Sequence, residues 1–450
     1  MSDPPKPDAA PNPAEAADEG APNGSAAVGM VAREAALVVL GQALDHRGGF
    51  DEALARPPFS VLPPRDRAWV RALVATALRR LGPIDAGLAA RLQKPPPRRV
   101  TDILRLGAAQ LLFRDTPAFA AVATSVALAE ADRSSRPFKG LVNAVLRRLA
   151  REGLEAGAPE ANLPPWLFAR WAAHFGEDQA RAIAAAIPLE PPTDLSLRDG
   201  ADAAELAGAF EAEVLPGGTL RIPRRGEIQD WPEFAEGRWW VQDAAAAIPA
   251  RLLAARAGES ALDMCAAPGG KMLQLAAAGA TVTALDRSEA RLKRLRQNLE
   301  RTGLAAEVVA TDAASWQDPR VFDAVLLDAP CAATGTFRRH PDVLWTVKPS
   351  EIPKLAAVQA RLLDAAADRV RPGGRLVYCV CSLEPEEGEA QVAAFRARRP
   401  DFSAAAVEPG EGGAPEGAVT ASGALRLTPA MEMDGFFVAR FARAVRGSFS

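Results

Sequence analysis

A chain of 450 residues exceeds one ordinary domain, so two or three are expected, and a 48% share of hydrophobic residues allows each a substantial core. Four cysteines are too few for a disulfide framework; three histidines without paired Cys-x-x-Cys clusters argue against zinc, and Cys379 and Cys381, two apart, would face opposite sides of a strand and could not grip one metal together. The net charge of −3 argues against a general nucleic-acid binder, but residues 30–153 carry 20 Lys and Arg against 11 Asp and Glu, an excess that suits contact with phosphates or, more plainly, a solvated helical surface.

Residues 1–29 are rich in Pro, Ala, Gly and acids, lack periodicity, and are predicted to be disordered; they do not resemble a signal peptide. From Met30 the pattern turns helical, with Leu37, Leu40 and Leu44 at i, i+3 and i+7. Further helices are predicted around Asp66–Leu81, Thr101–Phe113, Val122–Asp132 and Lys139–Glu152, separated by proline clusters. Residues 30–153 therefore read as an all-α domain. Residues 154–238 read as a small α+β connector, with a helix over Trp166–Phe175 and short strands at Asp194–Arg198, Glu213–Leu215 and Leu220–Ile222. Over residues 239–443 apolar strands alternate with helices, the pattern of a parallel α/β sheet. Strands are predicted at Ser260–Met264, Thr281–Asp286, Glu307–Ala310, Ala324–Asp328 and Arg375–Val380, then a Gly/Pro/Ala-rich loop over 407–424 and a hairpin including Gly435–Phe441. No apolar run reaches the ~20 residues that span a bilayer, so a cytoplasmic protein without membrane association is expected.

The segment Cys265-Ala266-Ala267-Pro268-Gly269-Gly270-Lys271 ends the first strand of that sheet and opens a helix. Small residues let a ligand approach the backbone, at the carboxyl end of the sheet where α/β folds bind nucleotides. It is not the GxGxxG of dinucleotide folds, which weakens a NAD reading. Asp286 ends the second strand, where an acid accepts ribose hydroxyl protons, and Asp312 follows the third, placed for the adenine end. Each acid would otherwise be a helix N-cap.

Asp328-Ala329-Pro330-Cys331 ends the fourth strand and Tyr378-Cys379-Val380-Cys381-Ser382 the fifth. A thiolate added to carbon 6 of cytosine makes carbon 5 nucleophilic toward an electrophilic methyl, and cysteine suits that step. Cys265 and Cys379 need only be small hydrophobes.

Taken together, Trp239-Trp240-Val241-Gln242-Asp243, the Cys265–Lys271 loop, Asp328–Cys331, Arg338-Arg339-His340-Pro341-Asp342, Cys381-Ser382 with Pro385-Glu386-Glu387, and Asp434-Gly435-Phe436-Phe437 resemble the bacterial RsmB/Sun group of ribosomal RNA cytosine-5 methyltransferases, within the NOP2/Sun family. The front domain, through Ile103–Leu112 and Val142–Arg148, resembles the NusB-like RNA-binding module of the same group. The resemblance spans roughly residues 30–441 and implies a multidomain protein: a NusB-like helical domain, a connector, and a Rossmann-like class I methyltransferase domain. It implies Cys381 as the nucleophile, Cys331 in product release, and S-adenosylmethionine held by Cys265–Lys271, Asp286, Asp312 and Asp328. Asp328 also stands to meet the target base, and Lys271 to orient the loop or meet the base. The implied partner is small-subunit ribosomal RNA, free or in an assembling particle; a monomer without metal is expected. Two departures stand out: the Ser-Gly pair usual after the fourth-strand cysteine is Ala332-Ala333, and the Thr usual before the nucleophile is Val380.

For RNA contact, Arg338, Arg339 and His340 are placed to hold the phosphate of a flipped nucleotide, and Arg147, Arg148 and Arg151 share a helix end where cations also suit the helix dipole. Trp239 and Trp240 are expected in the core rather than stacked on bases. A DNA cytosine methyltransferase would need only the fourth-strand cysteine, and a non-catalytic assembly factor would need neither.

Overall fold

The computed structural model describes residues 23–45, 49–155, 157–198, 203–223, 226 and 228–445. The prolines of the first segment end at Pro22, and helix α1 (Asn23–Ala43) begins on the next residue, inside the stretch expected to be disordered. The rest of that stretch lies outside the described residues. Helices α2 (Phe50–Leu54), α3 (Pro64–Arg79), α4 (Leu81–Ala89), α5 (Arg98–Phe113), α6 (Ala118–Ala131) and α7 (Lys139–Glu152) complete the front module. Proline precedes or opens α3, α5 and α6, where its fixed φ favours a helix start and its missing N–H leaves no helical bond unmade. Leu40, Leu73, Leu78, Ile103, Leu104 and Leu146 share one core. At Gly107 a Cβ would lie 2.6 Å from Leu146 and 2.8 Å from the Ser125 hydroxyl, so α5 approaches α6 and α7 only because this position is glycine.

The connector holds α8 (Pro165–Phe175), α9 (Glu177–Ala186), β1 (Thr193–Leu197), α10 (Ala203–Phe210), β2 (Glu213–Val214), β3 (Leu220–Ile222) and β4 (Trp239–Val241). Its strands form an antiparallel sheet in the order β2-β3-β1-β4. Trp239 is fully buried there, edge-on to Phe210 at 5.7 Å, and Trp240 is buried against the next domain, so neither indole is free to stack on a base.

The remaining elements are α11 (Ala244–Leu253), β5 (Ser260–Met264), α12 (Gly270–Ala277), β6 (Thr281–Asp286), α13 (Glu289–Thr302), β7 (Glu307–Ala310), β8 (Phe322–Asp328), α14 (Val343–Thr346), α15 (Ile352–Arg369), β9 (Val370–Val380), α16 (Glu389–Arg398), β10 (Phe402–Ala404), β11 (Leu425–Leu427) and β12 (Phe436–Arg443). They build a sheet ordered β10-β12-β9-β8-β5-β6-β7, with β11 also on β12. Strands β7, β6, β5, β8 and β9 run parallel; β12 lies antiparallel against β9. Apolar clusters cover both faces, as a parallel sheet requires. The chain leaves β5 toward β6 and later returns on its other side with β8, so the topological switch point falls between β5 and β8, where such sheets open a crevice. Among the described residues no helix is long and apolar enough to cross a membrane.

Candidate active site

The carboxyl ends of β5, β6, β8 and β9 bring together most of the residues singled out in the sequence. After β5, Cys265 takes a left-handed φ of 65° and turns the chain out of the sheet. The Ala266 N–H donates to Leu285 O at 2.8 Å, fixing the loop to β6. Gly269, with φ 114°, caps α12, and Arg291 and Asn298 of α13 donate to the carbonyls of Ala267 and Pro268. A Cβ on Gly270 would stand 3.3 Å from the Gln242 side chain, so the loop packs tightly on the motif that ends β4.

Asp286 is buried at the end of β6; it accepts from the Ala267 N–H at 3.2 Å and the Ser288 N–H at 2.8 Å. Asp312 lies two residues past β7, exposed, and accepts from the Ala314 N–H at 3.0 Å as a turn cap. Lys271, buried on α12, donates to Asp328 at 2.7 Å and lies 5.2 Å from the centre of the Phe436 ring. Burial opposes its charge, but Asp328 outweighs that and raises the ammonium pKa above its ordinary value. The other Asp328 oxygen accepts from the Cys379 thiol at 3.4 Å. Burial, then the nearby Asp328 charge, pushes the Cys265 thiol up to about 12 and the Cys379 thiol well above its usual range, so both stay protonated and inert near neutral pH.

Asp263, next to last on β5, was not singled out for the site. It is fully buried, and neither carboxylate oxygen has a hydrogen-bond partner among the described residues. Burial, then the neighbouring Asp328, raises its pKa well above the carboxylate range. An acid inside an apolar parallel strand is itself the sequence signal, since such strands are otherwise hydrophobic. The carboxyls of Asp263, Asp286 and Asp328 lie near one another at the carboxyl ends of β5, β6 and β8, a set that suits a ligand with a cationic centre and hydroxyl or ammonium donors.

The two remaining thiols meet. Cys331 Sγ stands 3.5 Å from Cys381 Sγ, and both residues are half-buried. The hydrogen bond to Cys381, then burial and the Glu387 carboxylate, raises the Cys331 pKa well above the ordinary thiol value. Gly335 donates to Cys381 O at 3.0 Å and accepts from the Gly435 N–H at 2.8 Å; a Cβ on Gly335 would stand 2.1 Å from Gly435 O, so glycine is required where these segments cross. Beyond Cys381, the buried Glu384 accepts from Arg170 at 2.8 Å and Trp171 at 3.1 Å, both on α8 of the connector.

The structure corrects the reading of Arg339 as a phosphate contact. Arg339 pairs with Asp243 at 2.6 Å and Asp434 at 3.3 Å, joining the start of α11 to the Gly435 segment. Arg338 is buried, and its carbonyl accepts from Arg79 of α3 at 2.8 Å. His340 faces Asp51 of α2 at 3.3 Å. These residues dock the front module on the stretch that follows Cys331: Arg339 and His340 face carboxylates, while the buried Arg338 Nη1 has no hydrogen-bond partner among the described residues. Arg147, Arg148 and Arg151 are exposed on α7, with Arg148 and Arg151 facing Glu152.

Two family models match the chain: the 16S rRNA methyltransferase RsmB/F model over residues 250–442 and the NusB family model over residues 30–151. The ribosomal RNA small subunit methyltransferase B of Xanthomonas campestris is 38% identical over 93% of this chain and 99% of its own length. The Vibrio cholerae protein of the same name is 35% identical over 91% and 97%. The crystal structure of PH0851 superposes with a TM-score of 0.75 at 23% identity, covering 92% of this chain and 98% of that one, a likeness of fold. With a helical NusB module in front, a Rossmann-like sheet behind and this identity along nearly its whole length, the chain belongs to the RsmB/F family of S-adenosylmethionine-dependent 16S ribosomal RNA methyltransferases.

Proposed function

We propose that this protein methylates carbon 5 of a cytosine in small-subunit ribosomal RNA through a covalent bond between Cys381 and carbon 6. The observation that carries this reading is the pair of thiols 3.5 Å apart just past the ends of the neighbouring parallel strands β8 and β9. In this reading Cys265, Ala266, Ala267, Pro268, Gly269, Gly270, Lys271, Asp286, Asp312 and Asp328 form the donor site. Bound S-adenosylmethionine supplies an electrophilic methyl on sulfur. Cys381, as thiolate, forms a bond to carbon 6, and the displaced electron pair makes carbon 5 the nucleophile that takes the methyl. For release, Cys331 loses its proton to solvent and, as thiolate, takes the carbon-5 proton, and Cys381 departs as thiolate. The electrons of the C–H bond re-form the ring double bond, and those of the C–S bond return to sulfur. In this reading Asp328, held by Lys271 at 2.7 Å, is the carboxylate that faces the base.

The test uses purified protein, small-subunit ribosomal RNA and labelled donor. Cys381→Ala is expected to abolish methylation, and Cys331→Ala to trap an RNA–protein adduct that survives denaturing gels. Undiminished 5-methylcytosine formation by Cys381→Ala, or a methyl found at another base position, sinks the mechanism.

A further inference from the structure

We infer that Glu387 is a positioning residue for product release, holding Cys331 against Cys381 by gripping the backbone on the far side of Cys331; this rests on the reading of the two thiols above. Cys331 sits in a loop whose next two side chains are the methyl groups of Ala332 and Ala333, so nothing on those residues can anchor it. The anchor is the turn after Cys381. The fully buried Glu387 accepts from the Ala332 N–H with both carboxylate oxygens, at 3.0 and 3.2 Å. Gln359, buried in α15, donates to Glu387 at 2.9 Å and, with the same amide, to Pro330 O at 2.9 Å. Residues 330 and 332 are thus clamped from one bonded pair, and the cysteine between them is left one direction to point. Tyr378 fixes the clamp in turn, donating to the Glu387 carbonyl at 2.6 Å. Burial raises the Glu387 carboxyl above its usual pKa, while the Gln359 and Ala332 donors favour its charged form.

A residue that merely held the fold would weaken every step together. A residue that sets Cys331 should leave bond formation at Cys381 intact and slow only its reversal after methyl transfer. For Glu387→Ala, single-turnover methyl transfer is expected to persist while multiple turnover falls about 10²-fold, the scale of a misplacement near 1 Å. A covalent RNA–protein adduct should accumulate, as for Cys331→Ala. Glu387→Gln, which keeps one acceptor oxygen for Ala332, should recover part of the turnover. Gln359→Leu removes the other arm of the clamp at similar volume and should trap the same adduct, serving if Glu387→Ala fails to fold. If Cys331→Ala traps adduct and neither clamp variant does, Glu387 has no part in release. If Cys331→Ala traps none, the two-thiol reading fails and takes this inference with it.

Discussion

Ala333 has a left-handed φ of 55°, a region that costs a residue with a Cβ about 1–2 kcal/mol. The resemblance to the family leads one to expect glycine there, and here the methyl is carried at the expense of strain. Ala333→Gly should relieve it, offset in part by about 0.4–1 kcal/mol of added freedom in the unfolded chain. A net gain of roughly 0.5–1 kcal/mol is expected from denaturant melts, and a loss would mean the loop needs the methyl. What the sequence conveys at this scale depends on distance along the chain. Lys271, Asp328, Cys331 and Cys381 stand in short local motifs, each at a strand end that periodicity alone locates. Gln359 carries no such signal, since it lies inside a helix; Glu387 stands in the Pro385–Glu387 motif, but only folding brings the two together beside Cys331. Arg339 misled because charge looks like surface until its partners, Asp243 and Asp434, are placed beside it.

Elements are legible where the pattern runs without interruption. The helix Lys139–Glu152 and the strands Ser260–Met264, Thr281–Asp286 and Glu307–Ala310 have the bounds their periodicity predicts. Strand β9 starts at Val370 rather than Arg375, because Arg371-Pro372-Gly373-Gly374 reads as a turn, while in the sheet it is an irregular strand start with a shift of register against β8. Packing between elements makes its own prediction at Glu389, the first residue of α16. Burial alone would raise its pKa, but hydrogen bonds from His174 of α8 and Arg426 of β11, with the Arg426 charge, hold it down to about 2. A carboxyl lowered in the folded state stabilises fully above its unfolded value near 4.5 and loses that contribution as pH falls toward 2. Glu389→Gln should therefore lower Tm at pH 7, with the gap to the parent closing between pH 4.5 and 2. A gap that is constant with pH would contradict the assignment.

At the scale of the whole molecule, the front module is bound to the catalytic domain through the stretch that follows Cys331. Asp342 accepts from the Phe50 N–H at 3.0 Å and so caps α2 from another domain, while Trp345 donates to Leu78 O at 3.0 Å at the end of α3. Losing such a cap costs about 1 kcal/mol. Asp342→Ala is expected to reduce RNA methylation well beyond any change in S-adenosylmethionine affinity measured by calorimetry, and Asp342→Asn, which keeps an acceptor, to restore it. Equal loss in both measurements would show a general unfolding instead. The sequence divides into modules readily, but their mutual placement rests on these few polar contacts between distant residues, which no periodicity announces.

The position of β12 in the sheet has a consequence for the order of events during synthesis. It lies directly against β9, and the Gly435 N–H just before it bonds to the loop of Cys331. The ribosome makes the helical module hundreds of residues earlier, and that module can fold while the rest is unmade. The sheet of the methyltransferase domain still lacks β12 at that stage and is complete only when residue 443 has cleared the exit tunnel. The order in which strands enter the sheet therefore sets when the loop after Cys331 gains its contact with Gly435.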